Sequence, residues 1–280
     1  MLPSELERFV AEDLGEWDDS SQLVPEIDVD ASIIAKEDCI ISGLSEALEI
    51  FAYFGLKATQ LFDDGEFVPA KSQVIVVKGS ARAILQSERL ALNFLARMSG
   101  ISTATRECVL SAGGRVRIAA TRKTTPGFRA FEKKAVFLGG GDTHRFNLSG
   151  AILIKDNHIA ISGLEECLQQ AKVRASFTKK IEIEVESLDD MLRAARGGAD
   201  IIMFDNMTPQ MISRGVELLR EAGMRDRVIL EASGGILPQN IQEYAKSGVD
   251  VISLGALTRD ARWIDLGLDI EQDIRQDSNR

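Results

Sequence analysis

From residue 115 onward the chain repeats one pattern: a short apolar run, a polar or glycine break, then an amphipathic stretch of about 10 to 15 residues. The runs occupy residues 116–120, 151–154, 181–185, 200–204, 228–230 and 249–254. Each recurs after roughly 20 to 35 residues, the length of a βαβ crossover, which predicts a parallel sheet buried on both faces. Residues 1–75 are patterned differently. They predict a helix over 3–13, an extended run over 28–34, a hairpin return over 38–42, a helix over 44–54 and a β segment ending at Val77. A long helix follows, opened by Ser80, running through Met98 and closed by Gly100, with Ile84, Glu88, Ala91, Leu92, Leu95 and Met98 along one face. The tail, 265–274, alternates apolar and charged residues and is expected to return to the first domain as a strand or helix. The fold class is therefore α/β: an N-terminal α+β sandwich domain, 1–100, joined by residues 266–280, plus an open, partly incomplete TIM-like α/β barrel, 101–265.

In a parallel α/β barrel the C-terminal ends of the strands build the active site. Those ends carry, in order, Arg122 with Lys123, Lys155, Glu184, Asp205, Ser233-Gly234-Gly235 and Gly255. The run 181–186 is informative by itself, because its period of two puts Glu182, Glu184 and Glu186 on one face and Ile181, Ile183 and Val185 on the other. With the apolar face against helices the glutamates enter the barrel and need cations, for which Lys123 and Lys155 are the expected partners. The bland alternative is an edge strand with its glutamates in water.

Composition narrows the function. The 280 residues are 45% hydrophobic, enough for two cores. A net charge of -10 and a pI near 4.9 exclude general nucleic-acid binding. Cys39, Cys108 and Cys167 lack paired metal-ligand spacing and read as reduced core thiols of a cytoplasmic protein. The start of the chain reads as an acidic helix rather than a signal peptide, and no apolar stretch approaches the roughly 20 residues of a membrane span.

Against the acidic background, residues 115–156 hold nine Lys or Arg against three Asp or Glu, plus His144. These cations sit beside glycines and at the ends of apolar runs, which suits a pocket for a small polyanion better than a solvated face. Two glycine loops add phosphate chemistry. Ser233-Gly234-Gly235, before a helix opening near Pro238, and Gly255-Ala256 after the next strand offer backbone N–H groups, and paired loops after the last strands are the usual phosphate site of a barrel.

Three segments carry a family resemblance: Glu88-Arg89-Leu90-Ala91-Leu92-Asn93 with Met98-Ser99-Gly100, Thr121-Arg122-Lys123-Thr124-Thr125-Pro126-Gly127, and His144-Arg145 with Ile154-Lys155-Asp156-Asn157-His158. On these residues the chain resembles the quinolinate phosphoribosyltransferases, over nearly its whole length. The resemblance implies phosphoribosyl transfer from 5-phosphoribosyl 1-diphosphate to quinolinate, with Mg²⁺ held mainly through the diphosphate and Glu184 and Asp205 as its protein ligands. It also implies a homodimer, or an assembly of dimers, with shared active sites. Arg122, Lys123, His144 and Arg145, with Arg89 from a partner subunit, would cradle the quinolinate carboxylates. Lys155, Glu184 and Asp205 would face the ribose and diphosphate, and Ser233, Gly234, Gly235, Gly255 and Ala256 the 5-phosphate. Lys123, Lys155, Glu184 and Asp205 are the catalytic candidates.

The chain departs from the family pattern at Asp18-Asp19-Ser20-Ser21, Lys134, Asn147, Gly150 and Ala232. Those departures keep open a relative of altered substrate, of the molybdenum-locus or nicotinate type. The glycine loops alone would suit an isomerase or aldolase with Lys155 as Schiff base, and the anion pocket a non-catalytic binding protein.

Overall fold

Two hydrophobic cores organise the described residues, 1–16 and 18–271 of this computed structural model. One unit comprises the described residues up to 103 together with 261–271; the other comprises 104–260.

The first unit holds α1 (Pro3–Leu14), β1 (Asp28–Ala35), β2 (Cys39–Ile40), α2 (Leu44–Tyr53), β3 (Lys57–Gln60), β4 (Phe67–Val68), β5 (Gln73–Ser80) and most of α3 (Ala81–Ala112). Its antiparallel sheet runs β12-β1-β5-β3, where β12 (Leu266–Ile270) comes from the far end of the chain. Ala31, Ile33, Val74, Ile75 and Val77 of the sheet are buried, as are Ile50 and Phe51 of α2 and Ile84, Ala91, Leu95 and Met98 of α3. Phe9 of α1 meets Phe94 of α3 edge-on at 5.1 Å.

Two expectations need correction in this unit. The segment 38–42 does not fold back on β1: both edges of β1 are taken, by β12 and β5, and β2 pairs instead with β4 through Cys39 and Val68. Gly100 does not end the long helix. It lies inside α3, where a Cβ would collide with the Arg262 carbonyl, so it serves close approach. The helix stops at Gly113 and Gly114, whose φ values of 62° and 70° only glycine adopts cheaply. As for the tail, β12 pairs with β1 in the register Ala31–Ile270 to Ala35–Leu266, while residues 272–274 lie outside those described.

The second unit alternates strands and helices: β6 (Arg117–Ala119), α4 (Arg129–Leu138), β7 (Ile152–Ile154), α5 (Asp156–Ser162), α6 (Leu164–Arg174), β8 (Ile181–Val185), α7 (Leu188–Gly197), β9 (Ile201–Asp205), α8 (Pro209–Glu221), β10 (Ile229–Ser233), α9 (Ile241–Ala245), β11 (Val251–Ser253) and α10 (Ala256–Arg259). Its parallel sheet runs β6-β11-β10-β9-β8-β7, and a bridge from Ala119 to Asp142 extends it beyond β6. No ladder among the described residues joins Asp142 to β7, so the barrel-like sheet stays open there. Outward residues such as Ile183, Val185, Ile202, Phe204, Leu230 and Ile252 are buried, with Met191 and Ala194 of α7 and Ile212, Val216 and Leu219 of α8. Ala232, one of the departures, sits fully buried among them. Cys39 and Cys108 are buried and burial pushes both thiols up to about 11, but Cys167 is only partly covered and is not a core thiol. No helix of the described residues is long and apolar enough to cross a membrane.

Candidate active site

Register decides which side chains share the interior of the sheet. Glu182 pairs with Ile201, Glu184 with Met203, Glu231 with Met203, and Ser233 with Asp205, so these residues lie on one face. Glu182 is buried to 1% exposure and β8 has neighbours on both sides, which excludes the water-facing edge strand.

At the C-terminal ends, Lys155 caps α5 and its Nζ donates to Glu184 Oε1 on the neighbouring strand end, as the alternation of β8 required. Lys123 does not share that partner. Its chain lies across Gly255, whose Cβ would stand 3.0 Å from Lys123 Cδ, and its carbonyl accepts the Thr258 hydroxyl at 2.7 Å. Asp205 ends β9, where its Oδ2 accepts Asn206 Nδ2 at 3.0 Å. Asn206 adopts φ 55° and donates its amide to the Ser233 carbonyl at 3.0 Å, locking this corner to the next loop.

That loop contains Gly234 and Gly235 at φ 84° and 61°. A Cβ on Gly234 would lie 2.6 Å from the Asn206 amide nitrogen, whereas one on Gly235 meets nothing within 4 Å. Among the described residues the amides of Gly234, Gly235, Ile236, Gly255 and Ala256 donate to no partner, leaving two rows of N–H groups after β10 and β11. The helix expected near Pro238 begins as a 3-10 turn, Pro238–Asn240, and α9 is a single short segment, so free amides rather than a helix dipole supply the positive potential.

The basic island converges from the 121–127 loop and the 143–145 turn. Glu132 of α4 accepts the Thr125 amide and hydroxyl at 2.9 and 3.0 Å and fixes the first of these. Arg122 Nε is buried without a partner. Burial and then the Arg122 charge depress the Arg145 pKa. His144 turns inward: Nε2 lies 3.3 Å from Glu231 Oε2 and 3.6 Å from Glu182 Oε1, and Nδ1 accepts the Arg145 amide at 2.8 Å. Both ring nitrogens are thus committed, and direct contact between His144 and a substrate would require the ring to turn. Burial opposes charge on this ring, but the hydrogen bond to Glu231 and the charges of Glu231 and Glu182 outweigh it and push its pKa up to about 10. The Arg145 amide donating to Nδ1 excludes a second ring proton there, so this conformation is the neutral ring with its proton on Nε2, held against the pull of the two carboxylates toward the charged form.

Arg89 is exposed on α3 in the other unit. Glu186 is exposed beyond the end of β8. Sequence reasoning missed Lys133, 1% exposed, whose Nζ donates to the carbonyls of Thr143 and Arg145, and gave no role to Glu231. Glu231 was within reach of the parity argument, two residues before Ser233 on the same strand. Nothing in the pattern separated Lys133 from Lys134.

With this geometry in place, two family models match: the quinolinate phosphoribosyl transferase N-terminal domain over residues 18–99 and C-terminal domain over 101–269. The chain belongs to the quinolinate phosphoribosyl transferase family. It is 47% identical to a probable carboxylating nicotinate-nucleotide pyrophosphorylase of Methanothermobacter thermautotrophicus, over 86% of this chain and 88% of that one. It is 46% identical to its counterpart in Archaeoglobus fulgidus, over 89% and 97%. The solved structure of the nicotinate-nucleotide pyrophosphorylase from Francisella tularensis superposes with a TM-score of 0.90 at 37% identity, covering 97% of this chain and 98% of that one.

Proposed function

We propose that this chain joins quinolinate to 5-phosphoribosyl 1-diphosphate with decarboxylation, giving nicotinate mononucleotide, diphosphate and carbon dioxide for NAD biosynthesis. The observation that carries the site assignment is the meeting, at the C-terminal strand ends, of the Lys155–Glu184 pair with unpaired amides at Gly234, Gly235, Gly255 and Ala256, together with the buried, unpartnered Nε of Arg122 in the loop after β6. Two carboxylates of quinolinate need two or more cations, and Arg122, Lys123 and Arg145 supply them. The 5-phosphate suits the free amides beside Ser233 and Gly255.

The reaction needs no nucleophile from the protein. The ring nitrogen of quinolinate attacks the anomeric carbon as its bond to the diphosphate oxygen breaks, and positive charge developing on the ribose is favoured by Glu184 and Asp205. The bond from C2 to its carboxylate then breaks, its electron pair stays on C2 beside the cationic nitrogen, carbon dioxide leaves and C2 takes a proton from water. Holding both substrates in line accounts for much of the acceleration. Mg²⁺ fits the donor set, since Glu184 and Asp205 end strands that pair as neighbours and offer the hard oxygens it prefers. It would be held by those two residues and the diphosphate, where it would neutralise leaving-group charge.

A Schiff-base role for Lys155 is disfavoured, because its side chain is 41% exposed and ion-paired rather than desolvated. Arg89, exposed on α3, is assigned to the neighbouring active site of a homodimer, and a strictly monomeric active protein would contradict that assignment. The deciding assay is release of carbon dioxide and nicotinate mononucleotide from quinolinate, 5-phosphoribosyl 1-diphosphate and Mg²⁺, with nicotinate in parallel. Equal yields are expected, and Arg122→Ala should lower turnover by about 100-fold or more. Turnover of nicotinate without quinolinate would overturn the reading.

A further inference from the structure

Behind the barrel mouth lies a cavity of about 420 Å³ lined by the first residues of four strands, Arg117, Ile201, Ile229 and Val251. His144, Arg145, Glu182 and Glu231 line it as well. Both carboxylate oxygens of Glu182 and Oε1 of Glu231 are buried without a hydrogen-bond partner, an arrangement that costs stability and calls for a reason.

The reason lies in the turn these residues touch. His144 adopts φ 52°, a left-handed conformation uncommon for a side chain of this size and held only where surroundings over-determine it. Five hydrogen bonds do so. Asp142 Oδ1 accepts the His144 amide at 2.7 Å, and Nδ1 accepts the Arg145 amide at 2.8 Å. Nε2 donates to Glu231 Oε2 at 3.3 Å. From the opposite side, the buried Lys133 ammonium of α4 binds the Thr143 and Arg145 carbonyls, the latter at 3.0 Å. The conformation so fixed sets the direction in which Arg145 leaves the backbone, and its Nη1 reaches the Ala151 carbonyl at 3.4 Å.

We propose that Lys133 and Glu231 are positioning residues which clamp the 143–145 turn from two sides and thereby hold Arg145 in place for a substrate carboxylate. The inference rests on the assignment of Arg145 to the quinolinate cradle. Glu182 Oε1 lies 3.6 Å from the same nitrogen, but burial foremost, with the Glu231 charge, pushes its own pKa up, so Glu231 carries the hydrogen bond. A metal ion on these three side chains is the competing reading, since their ligand atoms lie within 4.8 Å of one another. It requires a bare Nε2, however, and the Arg145 amide on Nδ1 leaves the ring proton on Nε2.

The test uses the full chain with Glu231→Ala, Glu231→Gln and Lys133→Met, measuring both KM values and kcat alongside thermal denaturation. The clamp predicts that Glu231→Ala and Lys133→Met raise KM for quinolinate about tenfold, the effect of one displaced charge-assisted hydrogen bond, with KM for 5-phosphoribosyl 1-diphosphate within about twofold of wild type. Glu231→Gln, which still accepts from Nε2, should recover most of the loss even where the alanine variant folds poorly. A purely structural role would lower the melting temperature and the active fraction while leaving both KM values alone, and that outcome overturns the proposal. So does an equal rise in both KM values, or one equivalent of metal per purified chain that disappears in Glu231→Gln. Absence of quinolinate turnover by the wild type is a separate result, refuting the proposed function rather than the clamp.

Discussion

Gly234 and Gly235 stand side by side with positive φ, yet alanine at the two positions should have different consequences. At Gly235 an added methyl meets open space, so only the left-handed backbone penalty applies, about 1–2 kcal/mol. At Gly234 the same penalty is joined by a methyl 2.6 Å from the Asn206 amide nitrogen, an atom of the backbone already hydrogen-bonded to the Ser233 carbonyl at 3.0 Å. The methyl cannot be relieved by rotating a side chain. Either the glycine loop lifts or the Asp205–Asn206 corner retreats, and we expect about 3 kcal/mol in total. For a unit of this size that corresponds to a melting temperature lower by roughly 10 °C. Because the loop and Asp205 are assigned to the phosphate and ribose of one substrate, KM for 5-phosphoribosyl 1-diphosphate should rise about tenfold or more in Gly234→Ala and far less in Gly235→Ala, with KM for quinolinate nearly constant. Thermal melts and steady-state kinetics on the two variants read this directly. Equal effects at the two positions, or a Gly234→Ala enzyme with wild-type KM, would refute both the steric reasoning and the assignment of the loop.

Two further outcomes follow from buried positions. Gly100→Ala places a methyl on the Arg262 carbonyl, so the variant should be destabilised by about 3 kcal/mol or more or fail to accumulate as soluble protein, checked by expression and chemical denaturation. Burial foremost, with the Arg129 charge, holds the Lys133 pKa down to about 8 against an ordinary value of 10.5; Arg122 and Arg145 add to this and Asp142 opposes it. The unfolded chain therefore binds more protons than the folded one between these values. The penalty is fully present below about pH 8 and is relieved as pH rises toward 10.5, so wild type should gain stability relative to Lys133→Met across that window; a constant difference between the two melting curves would refute it.

Much of the barrel was legible because parallel strands buried on both faces announce themselves as apolar runs, and because strand parity is strict. Period two alone sent Glu182 and Glu184 inward and brought Lys155 to Glu184. What stayed hidden depended on distant sequence. The partner of β1 is β12, more than 230 residues later, which no reading of 38–42 could supply. Gly100 carried the usual signal of a helix end, but its function is set by a carbonyl at residue 262. Lys133 looks like any lysine of an amphipathic helix, and only the fold of 143–145 over it makes its burial useful. In each case a local rule was overridden by a contact that sequence proximity does not encode.

The opening in the sheet gives the interior cluster its logic. A further strand between Asp142 and β7 would have closed the ladder with backbone hydrogen bonds and filled that position with chain. Instead the chain leaves the Ala119–Asp142 bridge, turns at His144 and enters the gap, and the Arg145 side chain donates to Ala151 just before β7 begins. The Arg145 guanidinium thus ties the 143–145 turn to the chain entering β7, at the side where the sheet is open. A residue with that contact is held by more than a mobile loop. The inward carboxylates divide accordingly by depth: Glu184, near the strand end, meets Lys155 at the mouth, while Glu182 and Glu231 serve the histidine that fixes the turn. Their unpartnered oxygens are then a cost of holding Arg145 rigid, and a barrel closed by a complete strand would have no need of them.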